Sequence, residues 1–371
     1  MPKNAAPKAL ASRRRRALRE GGGKNRIDAL LVSKPEDVSY LSGFTGEDSF
    51  LLVHPTEAVL ITDGRYQEQA HKECADIRVH VRTGRLSKAL ANLAKESGIR
   101  RLGVQAEDIT LAQRDALASR LRGRRLVPVT GAVAAVRITK DEGEVRAIRR
   151  AVHMAQRAFS ALIGRGAAGL VGRRERDVAA ELDYLMRQEG ADGPSFDTIV
   201  AAGANAALPH YRPGGTRIRR DAVLLIDWGA RVDGYCSDLT RTLAIGRIPR
   251  KLATAYELVR RAQRAGLRAV RPRVKAETVD AAAREIIEEA GFGRQFLHGL
   301  GHGLGREVHE RPGIGRTSDE RLRAGMLITI EPGIYLPRLG GIRIEDDVLV
   351  TPDGRRRLSS LPRGLESMTL A

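Results

Sequence analysis

The sequence predicts an α/β domain over residues 27–136 followed by a mixed α+β domain over 137–371, behind a basic tail at 1–26. Three observations carry this. From residue 27, short β-prone runs alternate with amphipathic helical stretches, the pattern of an α/β domain. Near residue 137 the alternation gives way to one long helical stretch, "ITKDEGEVRAIRRAVHMAQRAF". Beyond it, strands gather in a hairpin at 222–245 and in "AGMLITIEPGIY" and "GGIRIEDDVLVT" near the end.

The elements follow in order. "IDALLV" (27–32) reads as a strand, and "KPEDVSYLSG" as a short helix stopped by Gly43. "SFLLV" and "EAVLIT" are strands, "GRYQEQAHKEC" is helical, and "IRVHVRT" is a strand. "LSKALANLAKESG" is a helix closed by Gly98, "RLGVQ" a strand, and "TLAQRDALASRLRG" a helix. No Gly-rich phosphate loop occurs in this half, which argues against a nucleotide site. The second half opens with the helix from about residue 140, for which Thr139 and Asp141 are N-cap candidates. A helix (173–189), a strand (196–202), the hairpin and two helices (251–271 and 277–290) follow.

Composition narrows the class. A chain of 371 residues at 42% hydrophobic content can bury a full core. It has no apolar run of the roughly 18 residues that suggest a membrane span, and no signal-peptide pattern. Its two cysteines, Cys74 and Cys236, make no disulfide framework. A reducing, cytoplasmic setting is therefore expected. The net charge is +19. Residues 1–26 hold nine basic side chains against one acid, Glu20, and run into "GGGKN". That composition suits a disordered tail with at most weak affinity for nucleic acid or another polyanion. Basic residues are not interleaved with aromatics, so a nucleic-acid function does not follow.

The chemistry-bearing residues lie in the second half. "VLLIDWGARVDGYCSDLTRTLAI" (223–245) has Asp-Gly between two β-prone runs, a strong hairpin signal. A two-residue turn at Asp233-Gly234 places Asp227 opposite Thr240 and points Asp238 to the same face. The two carboxylates converge and would repel unless they share a cation. Glu331 follows the apolar run "MLITI", and Glu345 sits in "GGIRIEDDVLV", sharing a face with Arg343. An acid in an apolar strand is costly to bury unless paired or metal-bound. Arginine pairing would account for any one of these acids taken singly, but less readily for all of them. "HGLGHGLGREVHE" (298–310) adds three of the chain's eight histidines among glycines. Such an oxygen-rich set suits two divalent ions, Mn, Co or Zn, with Mn favoured by the number of oxygen ligands.

These motifs resemble the pita-bread metallopeptidases: aminopeptidase P, prolidase and methionine aminopeptidase. "LLIDWGA", "GYCSDLTRT", "HGLGHGLG", "ITIEPGIY" and "GIRIEDDVLVT" match that family's Asp, Asp, His, Glu, Glu set in order and spacing. The resemblance implies a pita-bread catalytic domain behind a creatinase-like N-terminal domain, the latter through "YLSGFTG" and "LITDGRYQEQA". It implies that Asp238 and Glu345 bridge two ions, Asp227 completing one site and His302 with Glu331 the other. By the same resemblance His309 steadies the tetrahedral intermediate, His298 and His210 line the pocket, and Arg343 holds carboxylates. Glu331 is expected to carry the proton as general base and then acid. Glycines 299, 301, 303 and 305 are expected to let backbone pass close to metal and substrate. Arg306 stands where the proline-specific branch often has an apolar residue.

"PSFDTIVAAGANAALPHYRP" (194–213) and the N-terminal domain place the chain in that proline-specific branch. The expected activity is Xaa-Pro aminopeptidase, acting on peptides with proline second, with Xaa-Pro dipeptidase (prolidase) as the alternative. The aminopeptidase is preferred because a dipeptidase must also capture the free carboxylate, and none of Arg212, Arg306 and Arg338 sits in a motif tied to that task. Methionine aminopeptidase lacks the extra domain. A non-catalytic pita-bread protein that binds nucleic acid or histones, and a metal-free creatinase-like hydrolase, are both disfavoured by the complete ligand set. A homodimer with no membrane association is expected.

Overall fold

The computed structural model describes Ser12, Arg15 and residues 27–371. The chain divides into two compact units, Met1–Arg137 and Ile138–Ala371. The tail assigned to residues 1–26 lies outside the described residues except for Ser12 and Arg15. Arg15 is buried, donating to the Leu41 carbonyl at 2.8 Å and pairing with Asp76 at 2.7 Å.

The first unit is built on one mixed sheet. Its strands lie in the order Arg78–Arg82, Ala58–Asp63, Ser49–Val53, Ala29–Val32, Arg101–Gln105 and Arg125–Val129. The Ala29–Val32 strand pairs antiparallel with Ser49–Val53 and parallel with Arg101–Gln105. Side-chain alternation splits this strand between two cores. Leu30 and Val32 pack with Val38, Leu41 and Phe44 on one face, while Ala29 and Leu31 pack with Leu90, Leu93 and Leu117 on the other. Pro35–Ser42 ends as expected, with Gly43 in the left-handed region at φ 80°. Thr110 and Gln113 form a capping box at the start of Leu111–Arg120. Two elements escape the sequence pattern: the edge strand Arg125–Val129 and the short helix Ala132–Arg137. The strand is mostly half-exposed and contains Pro128, which a sheet tolerates at its edge.

In the second unit, Asp141 starts the Glu142–Ile163 helix. Its carboxylate accepts from the Gly143 and Glu144 amides, and Glu144 reciprocates to the Asp141 amide. One helix face buries Ile148, Ala151, Ala155, Phe159 and Leu162. Trp228 stacks on Phe159 with 4.3 Å between ring centroids and donates to the Ala155 carbonyl, so it is a core residue. The sheets that carry the acids lie beside this core. One has the order Thr369–Leu370, Leu239–Ile245, Ala222–Trp228, Ile199–Ala202. Another has Glu310–Ile314, Gly301–Gly303, Leu327–Ile330, Asp346–Thr351, Gly354–Arg357. Among the described residues no helix is long and apolar enough to cross a membrane.

Candidate metal centre

The hairpin register follows from its turn. Asp233 and Gly234 both have positive φ, 53° and 74°, as the two-residue turn requires. Val232 faces Tyr235, and Asp227 faces Thr240. Asp238 lies just before the Leu239–Ile245 strand. There the chain squeezes past Gly229, whose missing Cβ would fall 1.9 Å from the Ser237 carbonyl oxygen.

The histidine segment forms the short strand Gly301–Gly303 between Leu327–Ile330 and Glu310–Ile314. Its glycines answer to different neighbours than the sequence suggests. A Cβ on Gly301 would meet the Thr329 carbonyl at 2.1 Å, and one on Gly303 the Arg311 carbonyl at 2.1 Å. Flanking strands press on both sides, so these two positions are glycine for strand packing. None of glycines 299, 301, 303 and 305 has positive φ.

Four carboxylates and one imidazole then converge. Ligand atoms of Asp238, His302 and Glu345 lie within 4.8 Å of one another. His302 Nε2 is 3.2 Å from Glu331 and 3.6 Å from Asp238. Asp227 joins them electrostatically: its charge acts on Asp238 and Glu345. Burial pushes the Asp238 and Glu345 carboxyls well above the ordinary carboxylate range, and the neighbouring acids push further. Burial likewise raises Asp227, against the opposing pull of Arg343. Burial would raise Glu331 too, but its hydrogen bond and charge contact with His302 prevail and draw it down to about 2.

Two buried oxygens of this cluster, Asp227 Oδ1 and Glu345 Oε1, have no hydrogen-bond partner among the described residues. A buried carboxylate oxygen without a donor costs about 1–3 kcal/mol or more. Converging, mutually repelling acids with unsatisfied oxygens fit a divalent cation, whose charge removes both penalties.

Neighbouring side chains hold these groups in place. Arg343 donates to Asp227 Oδ2 at 2.5 Å, to the Tyr335 hydroxyl at 2.8 Å and to Thr240 Oγ1 at 3.1 Å. Thr240 Oγ1 donates to Glu345 at 2.6 Å. The Thr329 hydroxyl lies 3.3 Å from Glu331 and accepts the His302 amide. Asp347 accepts the Asp238 amide at 3.1 Å. Arg241 is fully buried, gripping the Glu345 carbonyl at 2.6 Å and the Asp346 carboxylate at 2.8 Å. Sequence reasoning missed the roles of Thr329, Tyr335, Arg241, Asp346 and Asp347. The available signal was a charge next to apolar β-prone residues: Arg241 in "LTRTLAI" and Asp346 at the start of "DDVLVT".

The remaining histidines lie around the cluster. His309 is exposed, its ring edge-on to His302 at 4.3 Å between centroids. Burial and then the His302 charge lower its proton affinity, and His210 is close enough to add to this. His298 bonds the Tyr335 hydroxyl at 2.8 Å and the Gly299 carbonyl at 2.7 Å. Of the three arginines considered for carboxylate capture, Arg306 lies over the Tyr235 ring, while Arg212 and Arg338 are exposed. Cys236 is buried, its thiol pushed up to about 11 by burial, which disfavours a nucleophilic role.

Residues 146–352 match the model of metallopeptidase family M24, and residues 14–139 match the creatinase/prolidase N-terminal domain. The Xaa-Pro dipeptidase of Pyrococcus horikoshii is 37% identical over 92% of this chain and 95% of its own length. The structure of an Xaa-Pro dipeptidase from Bacillus anthracis superposes with a TM-score of 0.93 at 35% identity, covering 97% of this chain and all of that one. An X-Pro aminopeptidase structure from Thermotoga maritima gives a TM-score of 0.86 at 36% identity, over 93% of this chain and 99% of that one. The chain belongs to metallopeptidase family M24. It is a peptidase with a creatinase N-terminal domain and a pita-bread catalytic domain.

Proposed function

We propose that the chain hydrolyses the Xaa-Pro peptide bond as an Xaa-Pro dipeptidase, using a pair of divalent ions held by Asp227, Asp238, His302, Glu331 and Glu345. The observation that carries the metal requirement is the buried Asp238–His302–Glu345 cluster, with unpartnered oxygens on Asp227 and Glu345. Its oxygen-rich donors favour manganese. Bound ions would ionise a water near neutral pH and polarise the scissile carbonyl.

The side chains supply the rest. Glu331, hydrogen-bonded to His302, takes the proton from the attacking water and returns it to the leaving nitrogen. His309, exposed beside His302, donates to the oxyanion. His210 and His298 bind the substrate around the proline. Arg343, clamped between Asp227, Thr240 and Tyr335, keeps the carboxylates in register. A homodimeric, cytoplasmic enzyme is part of this reading.

The sequence by itself favours the aminopeptidase, since no motif marks a cation for the proline carboxylate. The dipeptidases named above move the balance the other way. The T. maritima aminopeptidase, at similar identity, supports the second reading. The deciding comparison is kcat/KM for Ala-Pro against Ala-Pro-Ala with Mn²⁺, together with metal analysis of the purified protein. A dipeptidase cleaves Ala-Pro at least as well and loses it on C-terminal amidation. Preference for the tripeptide assigns the aminopeptidase, and turnover without metal overturns both readings.

A further inference from the structure

Away from the metal cluster, the second unit carries a concave pocket of about 490 Å³ lined by Arg264, Arg268, Arg355, Arg357, Arg363 and Asp353. Exposed arginines are common in a chain with 64 basic and 45 acidic residues, and a solvated surface is the simple explanation. Three observations set this pocket apart.

The first is its unanswered charge. Arg264 and Arg268 stand one turn apart on the Arg250–Ala269 helix, both exposed. Like charges at that spacing repel. Among the described residues neither side chain has a hydrogen-bond or ion-pair partner. The second is how the deeper arginines are spent. Arg357 and Arg363 reach the same carboxylate, Asp346, at 3.4 and 3.8 Å, and Asp346 already pairs with Arg241 at 2.8 Å. One fully buried acid therefore serves three guanidinium groups, and Asp353 is the one acid that lines the pocket beside Arg264, Arg268 and Arg355. Burial and the charges of Arg357, Arg241 and Arg264 all lower the proton affinity of Arg363, against Asp346. The third is shape and chemistry. The volume lies within the roughly 300–1,000 Å³ of ordinary ligand pockets. No aromatic side chain lines it, so nothing there would stack a base, and Leu267 is its one large apolar contact.

We propose that this pocket binds a small polyanion carrying two or more phosphoryl groups on a polar scaffold. The planar forks of the arginines match phosphoryl oxygens bidentately. Arg355 is oriented for this by its bond to the Arg268 carbonyl at 3.2 Å. A second phosphoryl group engages the Arg264–Arg268 pair while the first sits over Arg357 and Arg363. The site shares no residue with the metal cluster.

The test is isothermal titration of the full, metal-loaded chain with fructose 1,6-bisphosphate as probe. One saturable site per chain is expected, with inorganic phosphate binding more weakly. The Arg264→Glu/Arg268→Glu variant should raise Kd by at least about tenfold, or about 1.4 kcal/mol. Asp238→Asn, at the metal cluster, should leave Kd unchanged. If the double variant does not fold, Arg355→Gln gives the same reading. The proposal fails if no saturable binding occurs or if the pocket variants bind like the parent. It also fails if Asp238→Asn abolishes binding, which would put the probe on the metal centre. Finally, it fails if a short single-stranded RNA binds through these arginines and the bisphosphate does not.

Discussion

Glu345 shows what a single residue costs in this fold before any cation is bound. One of its oxygens lacks a donor among the described residues, and burial first, then the charges of Glu331 and Asp227, raise its proton affinity well above the ordinary value of 4.5. A raised carboxyl contributes stability fully present below its unfolded value and lost as pH rises through its folded one. The metal-free protein should therefore gain stability as pH falls from neutral towards 4.5. Glu345→Gln should flatten that slope, raise the metal-free thermal midpoint at neutral pH and abolish turnover. Thermal unfolding of both proteins after chelation measures this, and a lower neutral midpoint for the variant would refute it. His309 belongs to the same scale. It is exposed and hydrogen-bonds nothing among the described residues, so its removal should spare the fold. His309→Ala should lower kcat by roughly 10²–10³ with little change in KM, the effect of losing one oxyanion donor. A change confined to KM would make it a substrate-binding group instead.

At the scale of elements, the sequence was most readable where one local rule dominates. The Asp233-Gly234 turn fixes the whole register from Val232–Tyr235 to Asp227–Thr240. Helix starts and stops at Asp141, Gly43 and Gly98 were legible for the same reason. The glycine segment was legible as unusual but not as to cause. Glycine at 301 and 303 is required by carbonyls of flanking strands, and strand neighbours far apart in sequence leave no local mark. Arg241 and Asp346 were missed similarly, since their pairing across 105 positions is visible only in three dimensions. Gly301→Ala tests this explanation. Its Cβ must displace the Thr329 backbone, 2.1 Å away, and strain of this kind costs about 1–3 kcal/mol. Stability should fall by that amount. Metal affinity should fall with it, because Thr329 also binds the His302 amide. Denaturant unfolding and metal titration of the variant supply the two readouts, and an unchanged midpoint would show that the strands can part without cost.

For the whole molecule, the change of pattern near residue 137 matches the division into two units, and the family resemblance pointed to acids that the structure brings near His302. Where the first unit begins was harder. Composition assigns residues 1–26 to a solvated tail, as nine basic side chains without apolar periodicity would suggest. Yet Arg15 within that stretch is buried, pairs with Asp76 and caps the Leu41 carbonyl. A basic residue spent on one acid looks no different in sequence from the arginines on either side of it. Two truncations separate the contributions. Removing residues 1–11 leaves Arg15 and its partners in place, and should leave the thermal midpoint and kcat/KM unchanged. Removing residues 1–24 strips Arg15 from Asp76, whose side chain is only 27% exposed, and leaves the Leu41 carbonyl without that donor. Breaking a largely buried pair by deleting one partner costs up to about 3–5 kcal/mol, less here because Asp76 keeps some water. The longer truncation should therefore melt the first unit earlier, while the ligands of the second unit, all beyond residue 226, keep their metal. Arg15→Ala in the full chain should reproduce most of that loss. If both truncations melt with the full chain, the Arg15 contact contributes nothing and the first unit begins where the strand at Ala29 does.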